Sequence, residues 1–304
     1  MILRGDDMNT FKYQNKKNKN YFEGWYTRFT TKDNLNIAVI FAITKDIKNP
    51  HSFIQVFKEN DDKCIYLSFK TNDFSFADDK VTIGKNSLSK DQIILDHEDI
   101  SCNVSFTNQD TLDQNGGHPS AMGFLHKAPL ECFQEVIFLE AFAKGSFSLK
   151  GKTYEIKSKG YMEKTFGDNF PSRWIWIQSN YNKDNAKISF SIGLIPILFF
   201  KVKGFFLLLK INNELLRFSS YNLSRIKVKR VNEGIIIIIK KGKHKIVILP
   251  RSIDPVTLVG PRKNGEMTLD VFESIKSTAT VQHFIKKELV YEGVFENVGY
   301  ENMY

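Results

Sequence analysis

Cysteine is scarce in this chain. Cys64, Cys102 and Cys132 are the three among 304 residues, an odd number with no CxxC spacing. That pattern argues against a disulfide framework and against a structural zinc site, so a reduced, cytoplasmic protein without a metal is expected. Long apolar runs are missing too: "IGLIPILFF" at residues 192–200 is followed by a lysine, well short of the roughly 20 residues a spanning helix needs. The opening "MILRGDDMNTFKYQ" has no apolar core of signal-peptide length. GxSxG, HExxH and GxGxxG do not occur, and "GSFSLKGKT" misses the phosphate-loop spacing by one residue between Gly145 and Gly151. His118 and His126 have no metal-helix spacing and read as a loop pair.

Acid is the minority charge. Lysine and arginine total 43 against 34 aspartates and glutamates, a net +9. The excess favours an anionic partner such as a membrane surface. The densest basic segments, "KYQNKKNKN" and "RIKVKR", accompany no nucleic-acid motif, so no nucleic-acid partner is expected.

Helical periodicity is also rare; alternation of period two is what the chain has instead. "NIAVIFAI", "SFIQVF", "QIILD", "CNVSF", "AKISFSI", "HKIVIL" and similar runs recur between turns of Asn, Asp, Gly and Lys, the pattern of an all-β sandwich or barrel. "INNEL", "KKGKHK" and "LKGKT" read as hairpin turns. Some sixteen candidate strands exceed one eight-stranded barrel, so two consecutive antiparallel barrels are expected. The division falls at the "FGDNFPS" turn, giving a mobile segment 1–19, one domain over 20–165 and another over 166–304. The polar stretch Thr107 to Gly123 is long for a β connection and reads as a lid or a disordered loop. "GIIIIIK" lacks alternation, so both faces of that strand are expected to be buried.

Several strands insert polar groups into aromatic rows. In "RWIWIQSN", Trp174, Trp176 and Gln178 share one face, with Ile175 and Ile177 on the other, and a buried Gln178 needs a partner. In "YFEGWY", Tyr21, Glu23 and Trp25 share a face; in "HSFIQVF", His51 and Gln55 flank Phe53; in "LECFQEV", Glu131, Phe133 and Glu135 align. A buried acid is costly unless paired or protonated. Two readings stand at this stage: a polar cluster with a chemical purpose, or core strands whose acids pair with Lys or Arg.

These motifs resemble the tocopherol cyclase family. "YFEGWY", "HSFIQVF", "PLECFQEV" and above all "KGYMEKTFGDNFPSRWIWIQSN" are similar to its pattern Y-E-K-x-x-G-x-x-F-P followed by W-x-W-x-Q-x-N. "GPRKNGEMTLDVFESIKSTATV" and "YEGVFENVGYE" resemble the ends of bacterial members. Thr165 and Phe166 depart from relatives that have a polar residue and a tryptophan there. The resemblance implies two consecutive lipocalin-like antiparallel β-barrel domains, an architecture shared with carotenoid hydratases. It further implies a hydrophobic isoprenoid or prenylated quinol as ligand, peripheral contact with a membrane, and a cofactor-free, acid-initiated cyclisation of an alkene by an intramolecular cyclase, an isomerase. The alternative is a non-catalytic carrier or sensor of a small apolar molecule. Such a reaction needs a neutral carboxylic acid, aromatic faces and exclusion of water. Glu163 is the first candidate acid, with Asp168, Glu23 and Glu135 behind it. Trp25, His51, Gln55, Glu131, Phe133, Trp174, Trp176 and Gln178 are the candidate ligand-binding residues. Lys164 follows Glu163 directly, but an extended chain points the two to opposite faces.

Overall fold

The computed structural model describes residues 10–14, 19–113, 118–197, 200–232 and 234–304. Its regular structure is antiparallel β, with short 3-10 turns and no α-helix among the described residues. Residues 1–9 and 15–18 of the N-terminal segment expected to be mobile, and 114–117 of the long polar loop, lie outside the described residues.

The chain divides into two compact units: Met1–Phe170 with Leu258–Asp270, and Pro171–Thr257 with Val271–Tyr304. The first contains β1 (Phe22–Thr31), β2 (Asn36–Thr44), β3 (His51–Lys58), β4 (Ile65–Lys70), β5 (Phe74–Ala77), β6 (Lys80–Ile83), β7 (Asn86–Ser89), β8 (Gln92–His97), β9 (Ile100–Asp110), β10 (Cys132–Leu149) and β11 (Lys152–Gly167). They form one sheet in the order β4-β3-β2-β1-β11-β10-β9-β8-β7-β6-β5. The end strands β4 and β5 are joined directly by a 3-10 turn at Thr71–Asp73, so the sheet nearly closes on itself. Alternation explains the burial. In β9, Ile100, Cys102, Val104 and Phe106 are buried while the residues between them are not, and Trp25, Phe29, Ile54, Val56, Phe147 and Met162 meet them in one core.

The second unit's strands are β12 (Trp174–Ser179), β13 (Tyr181–Asn182), β14 (Lys187–Ile197), β15 (Phe200–Ile211), β16 (Glu214–Ser219), β17 (Arg225–Val231), β18 (Gly234–Lys241), β19 (His244–Arg251), β20 (Val256–Pro261), β21 (Met267–Ile285) and β22 (Glu288–Asn302), of which β20 and β21 begin or end in the first unit. Their sheet runs β16-β15-β14-β12-β22-β21-β19-β18-β17, with β13 and β20 off this path. Its core is rich in isoleucine: Ile175, Ile177, Ile188, Ile237 and Ile248 pack with Leu207, Phe190 and Phe218.

The three expected hairpins are present. Asn212 and Asn213 turn with φ of 50° and 64°, Lys150 and Gly151 with 50° and 78°, and Gly242 with 53°. Left-handed backbone at a two-residue turn matches the twist of the flanking strands, which is why Asn and Gly sit there. The isoleucine run behaves differently from its expectation. In β18, Ile235, Ile237 and Ile239 are buried, but Ile236 and Ile238 are only half-buried. β18 lies beside the end strand β17, and Ile238 and Ile236 stand opposite Lys227 and Lys229; lysine stems rather than a second packed layer flank that face.

Candidate functional site

Strand register assembles a polar cluster on the core-facing side of the first barrel. On β1 and β11, Trp25 stands opposite Lys164 and Glu23 opposite Phe166. On β10 and β11, Glu135 stands opposite Lys164 and Phe133 opposite Phe166. Three neighbouring strands therefore lay Trp25, Lys164 and Glu135 in one row and Glu23, Phe166 and Phe133 in the next, all on one face. Gly167 ends β11 with φ of 153°, where a Cβ would lie 2.0 Å from the Glu131 carbonyl oxygen. Only glycine lets the two strands approach this closely at the mouth of the row.

Glu23 and Lys164 form a fully buried ion pair, with Nζ 3.0 Å from Oε1. The Tyr21 hydroxyl donates to Glu23 Oε2 at 2.6 Å, and the Gln14 amide donates to the same oxygen at 3.0 Å. The Lys164 ammonium also donates to the Lys12 carbonyl and lies 4.9 Å from the Phe166 ring centre and 5.8 Å from that of Trp25. Burial lowers the Lys164 pKa, and Glu23 and then Glu135 oppose that fall. Burial, and the Glu23 charge after it, push Tyr13 up to about 12 and Tyr21 higher still, so both phenols stay protonated. The indole N–H of Trp25 donates to the Phe11 carbonyl at 2.9 Å. Phe11 itself is wholly buried, 5.9 Å from the Trp25 ring. Residues 11–14 thus close over the row, satisfying Trp25, Lys164 and Glu23 with main-chain groups.

Glu135 is held differently. The Ser120 hydroxyl donates to its Oε1 at 2.9 Å, while Oε2 is buried and makes no hydrogen bond among the described residues. Burial pushes its carboxyl up to about 7, against the smaller opposing pull of Ser120, Lys164 and the Ala121 amide. A carboxyl that changes charge near neutrality, in an apolar wall and with one oxygen uncommitted, is suited to giving and taking a proton.

Glu163 points away from this row. It lies on the opposite face of β11, opposite Tyr26 and Val136. Gln134 Nε2 donates to both of its oxygens, at 3.0 and 2.9 Å, and the Tyr161 hydroxyl donates to Oε2 at 2.6 Å. The parity expected from an extended chain is therefore present, with Lys164 inward and Glu163 outward. Asp168 is exposed beyond the end of β11, and Glu131 is half-buried with its carbonyl accepting the Asp168 amide at 2.8 Å.

His51 and Gln55 face away from the core, since Ile54 and Val56 between and beside them belong to it. His51 Nδ1 lies 2.8 Å from the Asn49 carbonyl, which can only accept, so Nδ1 donates to it, and Nε2 lies 2.7 Å from the Tyr66 hydroxyl. The Gln55 amide clamps Val259 through both its groups at 2.9 Å. These two side chains are committed to the fold. In the second unit, Trp174, Trp176 and Gln178 share the face of β12 opposite its core isoleucines. The Trp174 indole donates to Glu301. Gln178 is 1% exposed, and neither amide atom has a hydrogen bond among the described residues. Replacing it with methionine, of similar length, is expected to raise stability by about 1–2 kcal/mol in urea unfolding, because an unmade buried hydrogen bond is removed. A loss of stability in Gln178→Met would mean that the amide is bonded in the folded protein.

Sequence reasoning did not single out Phe11, Ser120 or Lys164 as parts of a site. Only Lys164 carried a signal, the alternation that separates it from Glu163.

A tocopherol cyclase-like family model matches residues 98–222, which include the long motif from Lys159 to Asn180. No curated protein sequence matches the chain. Among solved structures, kievitone hydratase from Nectria haematococca is similar at a TM-score of 0.53 and 16% identity, over 92% of this chain and 88% of that one. CghA is similar at 0.60 and 9% identity, and CghA with Sch210972 at 0.58 and 9%, each over 93% of this chain and 88% of that chain. At such identities the likeness is one of fold, and it agrees with the all-β architecture expected from the strand pattern and with the lipocalin-like barrels that the family resemblance implies. The stretch similar to the tocopherol cyclase-like model, residues 98–222, includes β10, β11 and both Glu135 and Lys164.

Proposed function

We propose that this chain is an enzyme of the cyclase or hydratase kind, acting on a hydrophobic isoprenoid or prenylquinol-like molecule with Glu135 as its acid. The observation that carries this reading is the buried Glu135 carboxyl, raised to about 7, with one oxygen uncommitted beside aromatic rings. In the reaction, protonated Glu135 gives its proton to one carbon of a trisubstituted alkene, leaving a tertiary cation on the other. A phenolic oxygen of the same molecule bonds to that carbon, and its proton returns to the Glu135 carboxylate. The substrate is isomerised and the enzyme regenerated, with no cofactor in the balance. Closure by an internal hydroxyl and addition of water begin with the same protonation, so a hydratase among the fold relatives suits the reading.

Trp25, Phe133 and Phe166 supply ring faces for the cation. Glu23 neutralises Lys164, which would otherwise oppose positive charge developing on the substrate. Glu163, already accepting from Tyr161 and Gln134, is assigned to holding β10 and β11 together.

The test is incubation with a prenylated hydroquinone, followed by chromatography and mass spectrometry for an isomer or a product one water heavier. Turnover is expected to decline as pH rises above about 7. Glu135→Gln is expected to lose about 100-fold or more, and Glu163→Gln much less. Turnover that survives Glu135→Gln removes Glu135 from the chemistry. Tight binding without turnover by the unmodified protein makes it a carrier.

A further inference from the structure

Ser120 is wholly buried, although it sits in the long polar connection between β9 and β10. Its own loop holds it on three sides. The Ser120 amide donates to His118 Nδ1 at 3.0 Å, its carbonyl accepts the Gly123 amide at 3.1 Å, and its hydroxyl oxygen accepts the Met122 amide at 3.0 Å. The loop is fastened in turn to β10 and to the aromatic row. Met122 Sδ accepts the Gln134 amide at 3.3 Å, and Met122 and Leu130 pack against Tyr21, Phe133 and Phe166.

These contacts decide where the serine's hydrogen goes. A hydroxyl has one hydrogen to give and two lone pairs to receive. The Met122 amide uses a lone pair, and the acceptor within reach of the hydrogen, among the described residues, is Glu135 Oε1 at 2.9 Å. In a wholly buried side chain, turning that hydrogen elsewhere would leave it unbonded. Oε1 therefore receives a hydrogen bond whether the Glu135 carboxyl is ionised or neutral. In the neutral acid Oε1 is then the carbonyl oxygen and Oε2 the hydroxyl. Oε2 is also the oxygen that makes no hydrogen bond among the described residues.

We infer that Ser120 is a positioning residue: it places the transferable proton of Glu135 on Oε2 and steadies, through Oε1, the charge left behind. This rests on the reading of Glu135 as the acid. As the Oε2–H bond breaks and a C–H bond forms from the alkene's electron pair, negative charge spreads over both carboxylate oxygens. The hydrogen bond from Ser120 strengthens as that charge develops, so it contributes more to the transition state than to the bound substrate. The phenolic proton later returns to Oε2, and Oε1 stays with Ser120 throughout. The charged and titratable groups around Glu135 and Ser120 are Lys164 on β11, paired with Glu23 on β1, and His118 on the loop. Nδ1 of His118 accepts from the Ser120 amide and so carries no proton in this arrangement.

Infrared difference spectra between acid and alkaline solution, with those of Glu135→Gln subtracted, isolate the C=O stretch of the neutral Glu135 carboxyl. A C=O that accepts a hydrogen bond absorbs at lower wavenumber. The band is therefore expected to rise in Ser120→Ala and to stay low in Ser120→Thr, which keeps the hydroxyl. A band indifferent to Ser120→Ala overturns the placement. Kinetics with the prenylated hydroquinone is the second reading. Ser120→Ala is expected to lower kcat about tenfold with KM little changed. It is also expected to move the alkaline decline of turnover to higher pH, because a hydrogen bond that favours the ionised carboxyl is gone. Ser120→Thr is expected to recover both. A lower kcat whose pH profile does not move, or a kcat equal to the parent's, overturns the positioning role. If the parent turns nothing over while its band still answers to Ser120→Ala, the reaction proposed above fails and the assignment of the proton to Oε2 stands.

Discussion

Lys164→Met is expected to cost the fold about 3–5 kcal/mol, the loss that follows when one member of a buried ion pair is removed. Glu23 and Lys164 are both wholly inaccessible to water. In the variant the Glu23 carboxylate keeps the Tyr21 hydroxyl and the Gln14 amide, but its buried partner is gone and Lys45, only partly buried, is the cation that still acts on it. The Lys12 carbonyl loses its donor as well. Methionine fills much of the volume, so the effect reads charge rather than cavity. Glu23→Gln in the same background removes the stranded charge while keeping an acceptor for Tyr21, and the double variant is expected to regain more than half of the loss. Urea unfolding of both single variants, the double variant and the parent gives the coupling between the two positions. A single-variant loss below about 1 kcal/mol, the scale of an exposed pair, would mean that water reaches the row in solution.

Most of the fold was legible because a half-buried strand writes its geometry into alternate residues. "CNVSF" and "QIILD" in β8 and β9 face inward and outward as their alternation indicates. The two-sided strands were the hard ones. Every residue of β12 from Trp174 to Ser179 is buried, and Tyr161 to Lys164 are buried on both faces of β11. Alternation separates Glu163 from Lys164 in such a stretch, but apolar neighbours on both sides give no sign of which face meets the core. Lys164, which that alternation only sets apart from Glu163, is itself the central cation. Ser120 and Phe11 were illegible for another reason. Each acts through contacts with residues distant in sequence, Ser120 with Glu135 and Phe11 with Trp25 and Phe76, and an isolated serine or phenylalanine in a polar segment has no periodicity to show.

The stability of the protein should carry the titration of Glu135, and Glu135→Gln should remove it. Unfolded, this carboxyl titrates near 4.5; folded, it is pushed up to about 7, chiefly by burial. Below the lower value both states hold the proton and the group contributes nothing to the pH dependence. Between the two, the folded chain keeps a proton that the unfolded chain has lost, so stability falls as pH rises. Above about 7 the whole cost of burying the carboxylate is felt, roughly 3 kcal/mol at 1.36 kcal/mol per pKa unit. Glutamine keeps an oxygen for Ser120 but does not titrate. The difference in unfolding free energy between Glu135→Gln and the parent should therefore shift by about 3 kcal/mol in favour of the variant from pH 4 to pH 8, while other groups cancel. A flat difference would place the Glu135 carboxyl in an environment that does not resist its charge. An acid of that kind would already have lost its proton at neutral pH, and the proposed protonation of an alkene would have no donor in this row.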